Sequence, residues 1–449
     1  MTISNQVSLS KVNALGFGNI SVFFMRNGIW ILATPFFQMT LGVDPFLLSL
    51  SITIPLFIAL FLGPFIGQLS DSMYRTRGTR DPLLITAALV CGVSYGLLWM
   101  IPSDLPQEKI LTYIFLLALI FQLFSSVYII PLTSLMYEVS EDSYQRTRTL
   151  GFIAYYNKVC SILYHWAFPL AQLSLFGSLL LGIKVVGWFI GCVLIALLGM
   201  FPVWLLKDSK LPLKQNIKAT PKVSRLRALQ ASLACVLGNT NFGLLMLVVL
   251  CQTCISGFSA SMDYYLIVYY MFGGDVVEGA FWKGVLSSSY SAMGFIAIPL
   301  ITLTAKRFGN KKTLEIVFLF TMLGGLCKWF IFTPGNEWLL PFDAVLSSSV
   351  WLSMFVIIPS MIADLSEANR KETQLDRKGS FISIHTLGGK LGSAIAVICS
   401  GLALNLIGFD ANAINPQTPD TLLSMRVILT FGTVLSSLTA FIIIKKIKI

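Results

Sequence analysis

The sequence predicts an all-α membrane protein with twelve transmembrane helices arranged in two halves of six. Three observations predict this fold class. The composition is too apolar for a soluble fold, since 55% of the 449 residues are hydrophobic and 12% are charged, whereas a soluble domain carries about 25% charged residues. Apolar runs of membrane-spanning length recur along the whole chain. Lysine and arginine gather in alternate loops between these runs.

The apolar runs account for the helix count. A helix that crosses the hydrocarbon core needs about 20 mostly apolar residues, and the mean hydropathy of this chain is +0.78. Longer runs are accommodated by tilt. The runs predicted as spans are 13–40, 45–70, 83–102, 110–136, 149–175, 180–206, 240–272, 284–305, 313–333, 338–363, 381–408 and 422–444.

The loops between these runs alternate in charge. One set is basic and includes the loop 75–80, the long loop 207–230 and the C-terminal lysines from Lys445. The other set is poor in Lys and Arg. The positive-inside rule then places both termini in the cytoplasm, which requires an even number of spans. The net charge of +11 is explained by membrane orientation, so we expect an integral membrane protein, in the inner membrane if bacterial, with no nucleic-acid partner.

The longest basic loop divides the chain near its middle. We predict an N-terminal six-helix half at 1–206, a basic cytoplasmic linker at 207–230 and a C-terminal six-helix half at 231–449. A weak internal repeat agrees with this division, because short basic turns around Gly78 and Gly309 follow the second and eighth runs. Two parallel halves of six helices are the major facilitator architecture, with a substrate site between the halves near the midplane.

The chain shows no pattern typical of an enzyme. All eight cysteines lie inside apolar runs, and the Cys251-x-x-Cys254 pair has no polar companions, so we interpret it as core packing. We find no nucleophile–base set, metal cluster or phosphate loop. The sequence therefore predicts no catalytic activity, no cofactor and no metal site. Without a nucleotide-binding domain, energy would come from a gradient or from the substrate itself.

Four ordered stretches carry a family resemblance that spans nearly the whole chain. They are Gly67 to Pro82; Ile130–Leu135 with Arg146–Leu150; Tyr264, Tyr265, Tyr269 and Tyr270 with Ala305–Gly309; and Ala363 to Arg426. Together they resemble the glycoside–pentoside–hexuronide:cation symporters, the melibiose-carrier branch of the major facilitators. The resemblance implies alternating access and sugar or sugar-acid substrates. It also implies that Asp71, Arg75 and Arg77 form a cytoplasmic gate, although membrane orientation and lipid contact would explain the same residues.

The departures from this family concern the coupling site. The family carries two aspartates one turn apart in the second helix, which hold the cation. Ala59 and Gly63 stand at those positions here, and Ile129 replaces a sugar-holding aspartate. The resemblance retains Lys390 and Thr386 in the eleventh run as substrate-binding residues, with Phe355 in the tenth as an aromatic partner. Lys158 lies close to the position of a sugar-binding arginine.

Ionisable residues inside the membrane are costly and are functional candidates by default. Arg26, Lys158 and Lys390 outnumber the single deep carboxylate that we identify, Asp263. We expect Arg26 to face Asp263, as a substrate contact or as a bridge between the halves. The cationic surplus favours an anionic substrate, and Asp263 and His385 are the candidates for proton coupling. A packing role is the more common one for a lone histidine on an apolar helix, and it explains both His165 and His385. Lys184 and Lys328 are near helix ends, so we predict interfacial anchors.

The function predicted from the sequence is a secondary active or facilitative transporter for a glycoside, hexuronide or related organic anion, working by alternating access and not coupled to sodium. The substrate-binding candidates are Arg26, Lys158, Asp263, Phe355, Thr386 and Lys390. Two alternatives stay open. One is a lipid or lysolipid transporter of the same fold, and the other is a membrane sensor that does not transport. We expect a small-molecule substrate, a lipid environment, protons as the candidate coupling ion and a monomer.

Overall fold

The computed structural model describes residues 9–101, 105–138, 143–206, 238–373, 378–410 and 417–447. Within these ranges the regular secondary structure is helical, without strands. We number the main helical segments α1 to α12. They are α1, Leu9–Ala33 with a π-helical end Thr34–Gln38; α2, Pro45–Arg77; α3, Asp81–Leu98; α4, Gln107–Glu138; α5, Ser143–His165; α6, Leu179–Phe189, π-helical Ile190–Leu197 and Leu198–Leu206; α7, Thr240–Cys251 to Leu266–Met271; α8, Val276–Phe308; α9, Asn310–Ile331; α10, Leu340–Thr373; α11, Lys378–Leu406; and α12, Pro419–Lys446.

Each of the twelve predicted runs coincides with one of these segments. Among the described residues, eleven helices are long and apolar enough to cross a membrane. The remaining one is α5, whose first turns carry Gln145, Arg146 and Arg148 and whose middle carries Asn157 and Lys158. The short helix Ala167–Ala171 follows α5 and covers half of the rest of the predicted fifth run.

The segments group into two compact units, Met1–Asn216 with α1–α6 and Ile217–Ile449 with α7–α12. The main helix pairs inside the two units correspond when helix numbers are shifted by six. In unit 1, α1 packs against α5 and α6, α3 against α4 and α6, and α2 against α4. In unit 2, α7 packs against α11 and α12, α9 against α10 and α12, and α8 against α10. This repeated pattern is the one that two parallel repeats produce. The predicted linker 207–230 lies outside the described residues.

The charged stretch between the second and third runs is mostly helix, which corrects our loop prediction. Helix α2 continues through the basic residues to Arg77, and Gly78 ends it in the left-handed region at φ 72°. Helix α3 begins three residues later at Asp81. The apolar pattern marks where a helix leaves the membrane, not where its hydrogen bonds end. In unit 2, Gly309 at φ 83° makes the equivalent short turn between α8 and α9.

Helices α3 and α6 approach each other closely in unit 1. A Cβ on Gly92 would collide with the carbonyl oxygen of Gly191, and a Cβ on Gly191 would collide with that of Gly92. One turn along, the indole of Trp188 covers Gly96, and Trp99 covers Gly187 in return. Small residues of this kind let membrane helices pack backbone to backbone.

Helix α7 is interrupted repeatedly. It runs through Thr240–Cys251, a π-helical segment Gln252–Ser256, Gly257–Ala260, Met262–Tyr265 and a second π-helical segment Leu266–Met271. The first π segment turns the buried Gln252 amide toward α12, where it donates to the Ser436 carbonyl at 3.1 Å. Single π turns inside α-helices are frequent at functional sites. The interruptions flank Asp263 on both sides.

The basic turn after α8 also has a structural role. Lys311, the second residue of α9, donates to the carbonyl oxygens of Lys445 at 3.1 Å and Ile447 at 2.6 Å. These carbonyls belong to the last turn of α12 and have no partner within the helix. A lysine at this position therefore caps α12 and complements its dipole.

Candidate functional site

One open polar face lies on α11 in unit 2. Thr386, Lys390 and Ser393 are exposed, and spacings of four and three residues place them on one side of the helix. The hydroxyls of Thr386 and Ser393 donate to carbonyls one turn earlier, at 2.9 and 3.0 Å. Polar side chains stay open at membrane depth where they line a water-filled cavity. His385 is half-buried on the side of α11 that contains Phe381 and Gly392.

Exposed polar residues also lie on α1 in unit 1. Asn13, Arg26 and Asn27 are exposed on a helix that is otherwise largely buried. The amide of Asn27 donates to the Phe23 carbonyl at 2.9 Å, and Asn13 accepts from the Tyr156 hydroxyl at 3.1 Å. Arg26 and the adjacent Asn27 therefore expose a guanidinium and an amide at one level of α1, about 20 Å along the helix from Asn13.

Lys158 lies half-buried on α5, away from Arg26. Ring contacts between Phe17 and Tyr156 and between Phe23 and Tyr164 show that α1 and α5 run in the same direction. Lys158 is therefore level with the first half of α1, about 12 Å along the helix axis from Arg26. Unit 1 holds these two cations at different depths.

Asp263 of α7 forms an ion pair with Lys283 of α8. The lysine Nζ lies 2.7 Å from Oδ1 and 2.6 Å from Oδ2, so it donates to both oxygens. The two side chains remain 17% and 20% exposed. Lys283 is the partner that sequence reasoning missed. Arg26 belongs to the other unit, and its pairing with Asp263 stays a prediction.

Asp263 and Lys390 belong to the same unit but lie at different depths. A Cβ on Gly392 of α11 would meet the Thr253 side chain of α7, and one on Gly257 would meet Ala396. Lys390 is therefore level with the residues just before Thr253. Asp263 lies about 18 Å further along α7 at 1.5 Å per residue.

A second ion pair, buried in unit 2, corrects our prediction for Lys328. This lysine of α9 was expected to anchor at the interface, but its side chain is 7% exposed and pairs with Asp343 of α10, which is 1% exposed. Asp343 also accepts from the Tyr290 hydroxyl at 2.7 Å and from the Ser347 hydroxyl at 3.1 Å. The carboxylate thus has three donors from α8, α9 and α10, and it ties these helices together.

Arg426 of α12 is held between two aromatic rings. Its guanidinium lies 4.7 Å from the ring centroid of Tyr270 and 4.2 Å from that of Trp329. It also donates to the Tyr270 hydroxyl at 2.9 Å and to the Trp329 carbonyl at 2.8 Å. The planar guanidinium fits this arrangement because it stacks on rings and donates several hydrogen bonds in its plane. The ammonium of a lysine cannot stack on a ring in this way.

The variant Arg426→Lys is expected to lower the free energy of unfolding by about 1–2 kcal/mol, because it loses the stacking and at least one hydrogen bond. The measurement is denaturant unfolding of the purified protein in mixed micelles. Arg307→Lys is the matched control, since Arg307 is exposed and lies 5.2 Å from the Phe308 ring. If Arg426→Lys and Arg307→Lys changed the free energy of unfolding equally, the position of Arg426 between the two rings would not stabilise the protein.

The remaining candidates are placed as follows. Phe355 is 78% exposed on α10. Arg77 is the exposed last residue of α2, and the backbone of Asp71 and Arg75 belongs to the same helix, while their side chains lie outside what the structure describes. Asp71, Arg75 and Arg77 are therefore helical rather than loop residues, and the gate role stays a prediction.

The two positions that lack the family's carboxylates differ in their surroundings. Ala59 is fully buried in α2. A Cβ on Gly63 would meet no atom within 4 Å, so this position has room for a side chain but carries none. Neither residue can supply a side-chain oxygen ligand to a cation.

Two units of the same internal packing, built from membrane-spanning helices with open polar and cationic faces, define a polytopic membrane transporter. The model of the MFS/sugar transport protein family matches residues 14–449. The chain therefore belongs to this family of the major facilitators, and the expected fold class is confirmed.

Similar proteins agree with this assignment. A curated relative is the "Uncharacterized symporter YjmB" of Bacillus subtilis (strain 168), which is 22% identical over 450 residues, with 98% of this chain and 92% of the relative covered. Among solved structures, the nucleoside transporter NupG matches with a TM-score of 0.66 at 15% identity, covering 98% of this chain and 100% of that one. A bacterial homologue of the human lysosomal transporter Spinster, inward-facing and unoccupied, gives 0.66 at 14% identity with 98% of both chains covered. At these identities the solved structures show the fold alone.

Proposed function

We propose that this protein is a secondary transporter for a sugar acid, hexuronide or related organic anion, and that sodium does not drive it. It works by alternating access, in which the solute shifts the equilibrium between two states through its different affinity for each. The related symporter and the family both support a small-molecule substrate. The resemblance to the glycoside–pentoside–hexuronide branch supports the sugar acids within that range.

The observation that carries the anionic substrate is the distribution of charge inside the membrane. Asp263 and Asp343 each pair with a lysine of their own unit. Arg26 on α1 and Lys390 on the polar face of α11 are exposed. Open faces that carry cations attract anions, and a guanidinium or ammonium forms its strongest hydrogen bonds with a carboxylate or phosphate.

The test is uptake into liposomes that contain the purified protein. D-Glucuronate, methyl β-D-glucuronide and gluconate are compared with the neutral sugars D-glucose and melibiose, with and without a pH gradient. We expect uptake of at least one of the acids, and a decrease of about 10- to 100-fold in kcat/KM in Arg26→Gln and Lys390→Gln, because each removes a positive charge that attracts the anion. Lys184→Gln, outside the open faces, is the control.

Other results would favour other functions. Uptake of the neutral sugars alone would overturn the anionic substrate. Uptake of lysolipid without any sugar or sugar acid would favour the lipid transporter. If no solute were transported and all charge-neutralising variants kept the cellular phenotype, the protein would be a sensor.

Sodium is expected to leave the melting temperature of the purified protein unchanged relative to potassium or choline at the same ionic strength. A bound ion at 100 times its Kd would stabilise the protein by about 2.7 kcal/mol, but Ala59 and Gly63 offer no oxygen ligands. Differential scanning fluorimetry with a sodium titration measures this. A saturable, sodium-specific increase in melting temperature would contradict it.

We also propose that both termini face the cytoplasm and that the monomer is the working unit. The basic turns at Arg77 and Lys311 support the orientation through the positive-inside rule. Reporter fusions at each terminus, together with the mass of the detergent-solubilised protein, test the two statements. A fusion active only outside the cell, or a stable dimer, would overturn the corresponding one.

A further inference from the structure

Two lysine–aspartate pairs in the described part of unit 2 differ in character. Asp343 is closed off and accepts from three donors, namely Lys328, Tyr290 and Ser347. Asp263 is part-exposed, and its hydrogen-bond partner within the described part of the chain is Lys283. A buried carboxylate with three donors is fixed in place. A part-exposed carboxylate with one flexible donor can be replaced.

The geometry of the second pair is that of a bound anion. Lys283 donates to both oxygens of the Asp263 carboxylate, at 2.7 and 2.6 Å. The carboxylate of a sugar acid has the same charge, the same two oxygens and the same preferred distance to an ammonium. With 20% of its side chain exposed, Lys283 can be reached by a solute without unfolding of the unit.

The helix around Asp263 is also suited to movement. Met262–Tyr265 is a short α-helical piece between Ser261 and the π-helical segment Leu266–Met271. A π turn has i→i+5 hydrogen bonds in place of the α-helical i→i+4 bonds, and such turns are frequent at functional sites. The Asp263 side chain can therefore leave Lys283 through a local change in α7, while Lys283 stays on the continuous helix α8.

We propose that Lys283 is an anion-binding residue of the transport cycle, and that the carboxylate of a transported organic acid replaces Asp263 on it when Asp263 takes up a proton. This inference rests on the proposed function, and it adds the coupling ion and the residues that couple it. Asp263 acts as an internal substitute for the substrate when the site is empty.

The charges balance in this exchange. One proton from the solution neutralises the Asp263 carboxylate, and one carboxylate of the solute then pairs with Lys283, which keeps its own proton throughout. The loaded pair has the same net charge as the empty pair, so an anion and a proton move together without net charge. A proton alone would leave Lys283 without a negatively charged partner. An anion alone would leave two carboxylates, its own and that of Asp263, for one lysine.

The charged and polar groups near Asp263 come from α7, α8 and α12. The helices packed against Met262–Tyr265 are α8 and α12, besides the rest of α7. They bring Lys283 and Tyr290 from α8 and Arg426 from α12, with Tyr264, Tyr265 and Tyr269 on α7 itself. Two of these groups are cations and the others are neutral phenols. Protonation without an anion would leave Lys283 unpaired, and this links the two events.

The experiment uses the full-length protein in liposomes with D-glucuronate as the solute. Asp263→Asn is expected to lose accumulation driven by a pH gradient but to keep exchange of D-glucuronate across the membrane, because Lys283 is then permanently available. Lys283→Gln is expected to raise the KM for D-glucuronate about 10- to 100-fold, as expected for one charged hydrogen-bonded contact. Lys283→Arg, which keeps the cation, is expected to retain most of the uptake.

An infrared difference spectrum gives a readout that a merely structural role would not change. Addition of D-glucuronate to the wild-type protein is expected to produce a band of a protonated carboxyl group, and Asp263→Asn is expected to lack it. Lys184→Gln, in unit 1, is expected to keep both the band and the KM. The double variant Asp263→Asn/Lys283→Gln has no unpaired charge and checks that losses in the single variants do not reflect misfolding.

The results separate the two proposals. If the wild-type protein transports no acid, the proposed function fails and this inference fails with it. If the wild-type protein transports D-glucuronate while Lys283→Gln keeps the wild-type KM, or Asp263→Asn still accumulates the acid with a pH gradient, the inference is overturned and the proposed function stands.

Discussion

Asp343→Asn is expected to lower the free energy of unfolding by about 3–5 kcal/mol, because it leaves the buried Lys328 ammonium without a counter-charge. Lys328→Met should lower the free energy of unfolding by a similar amount, because it leaves the buried Asp343 carboxylate without a counter-charge. Asp343 is 1% exposed and Lys328 7%, so water cannot replace the lost partner. Denaturant titration in mixed micelles measures the change.

A double variant in which both residues are replaced by apolar ones shows whether the unpaired charge causes the loss of stability. Lys328→Met/Asp343→Leu removes both charges, and replacement of a buried ion pair by apolar residues is often close to neutral. The double variant is therefore expected to recover most of the stability. Arg370→Gln breaks the exposed pair with Glu367, whose atoms are 3.4 Å apart, and should cost no more than about 1 kcal/mol. A double variant as unstable as the singles would contradict the ion-pair explanation.

Gly92→Ala is expected to lower the free energy of unfolding by about 2–3 kcal/mol, because its methyl group would overlap the Gly191 backbone and force α3 and α6 apart. A backbone carbonyl cannot move aside as the end of a flexible side chain can. The same titration measures this effect, and Gly191→Ala should behave similarly because the overlap is reciprocal.

The matched control for this prediction is Gly63→Ala. Gly63 lies inside α2, where a Cβ meets no atom within 4 Å, so the substitution should stabilise by up to about 1 kcal/mol through helix propensity alone. A stabilising Gly92→Ala, or equal effects at the two positions, would contradict the close packing of α3 and α6.

The fold could be predicted from the sequence because a bilayer requires continuous apolar helices and charged loops. The boundaries were less predictable. Apolar character ends at the membrane surface, while helix α2 continues to Arg77 until Gly78 ends it. Helix α5 differs from the other spans in hydropathy because its first half is polar. Hydropathy measures transfer into lipid, whereas helix formation depends on backbone hydrogen bonds.

The ion pairs of unit 2 were missed because each lysine was considered without its partner. Lys328 and Asp343 lie three residues from the facing ends of α9 and α10, at Ile331 and Leu340. Residues equally far from a turn in a helical hairpin lie at the same depth. Asp263 and Lys283 are related in a similar way across the turn between α7 and α8. This symmetry is visible in the sequence and would have predicted both pairs.

The relative depths of the candidates could not be read from the sequence. Composition and motifs place Asp263 and Lys390 in the same predicted site, but depth depends on how α7 and α11 are offset, which the contacts of Gly392 and Gly257 determine. Such an offset is fixed by three-dimensional packing between helices distant in the chain. The family motif that retains Lys390 carries no information about it.

The π-helical segments of α7 have a consequence for insertions and deletions. A π turn accommodates one residue more than an α turn, and each residue of an α-helix rotates the chain by about 100°. Deletion of one residue from Gln252–Ser256 would convert that turn to α-helix, and the residues after it would keep their direction because both kinds of turn complete one rotation. The same deletion in the regular helix Thr240–Cys251 removes no extra residue, so the helix before the deletion would rotate by about 100° relative to Asp263 and Lys283. The π turn is therefore the place in α7 where the chain can lose a residue without turning one half of the helix against the other.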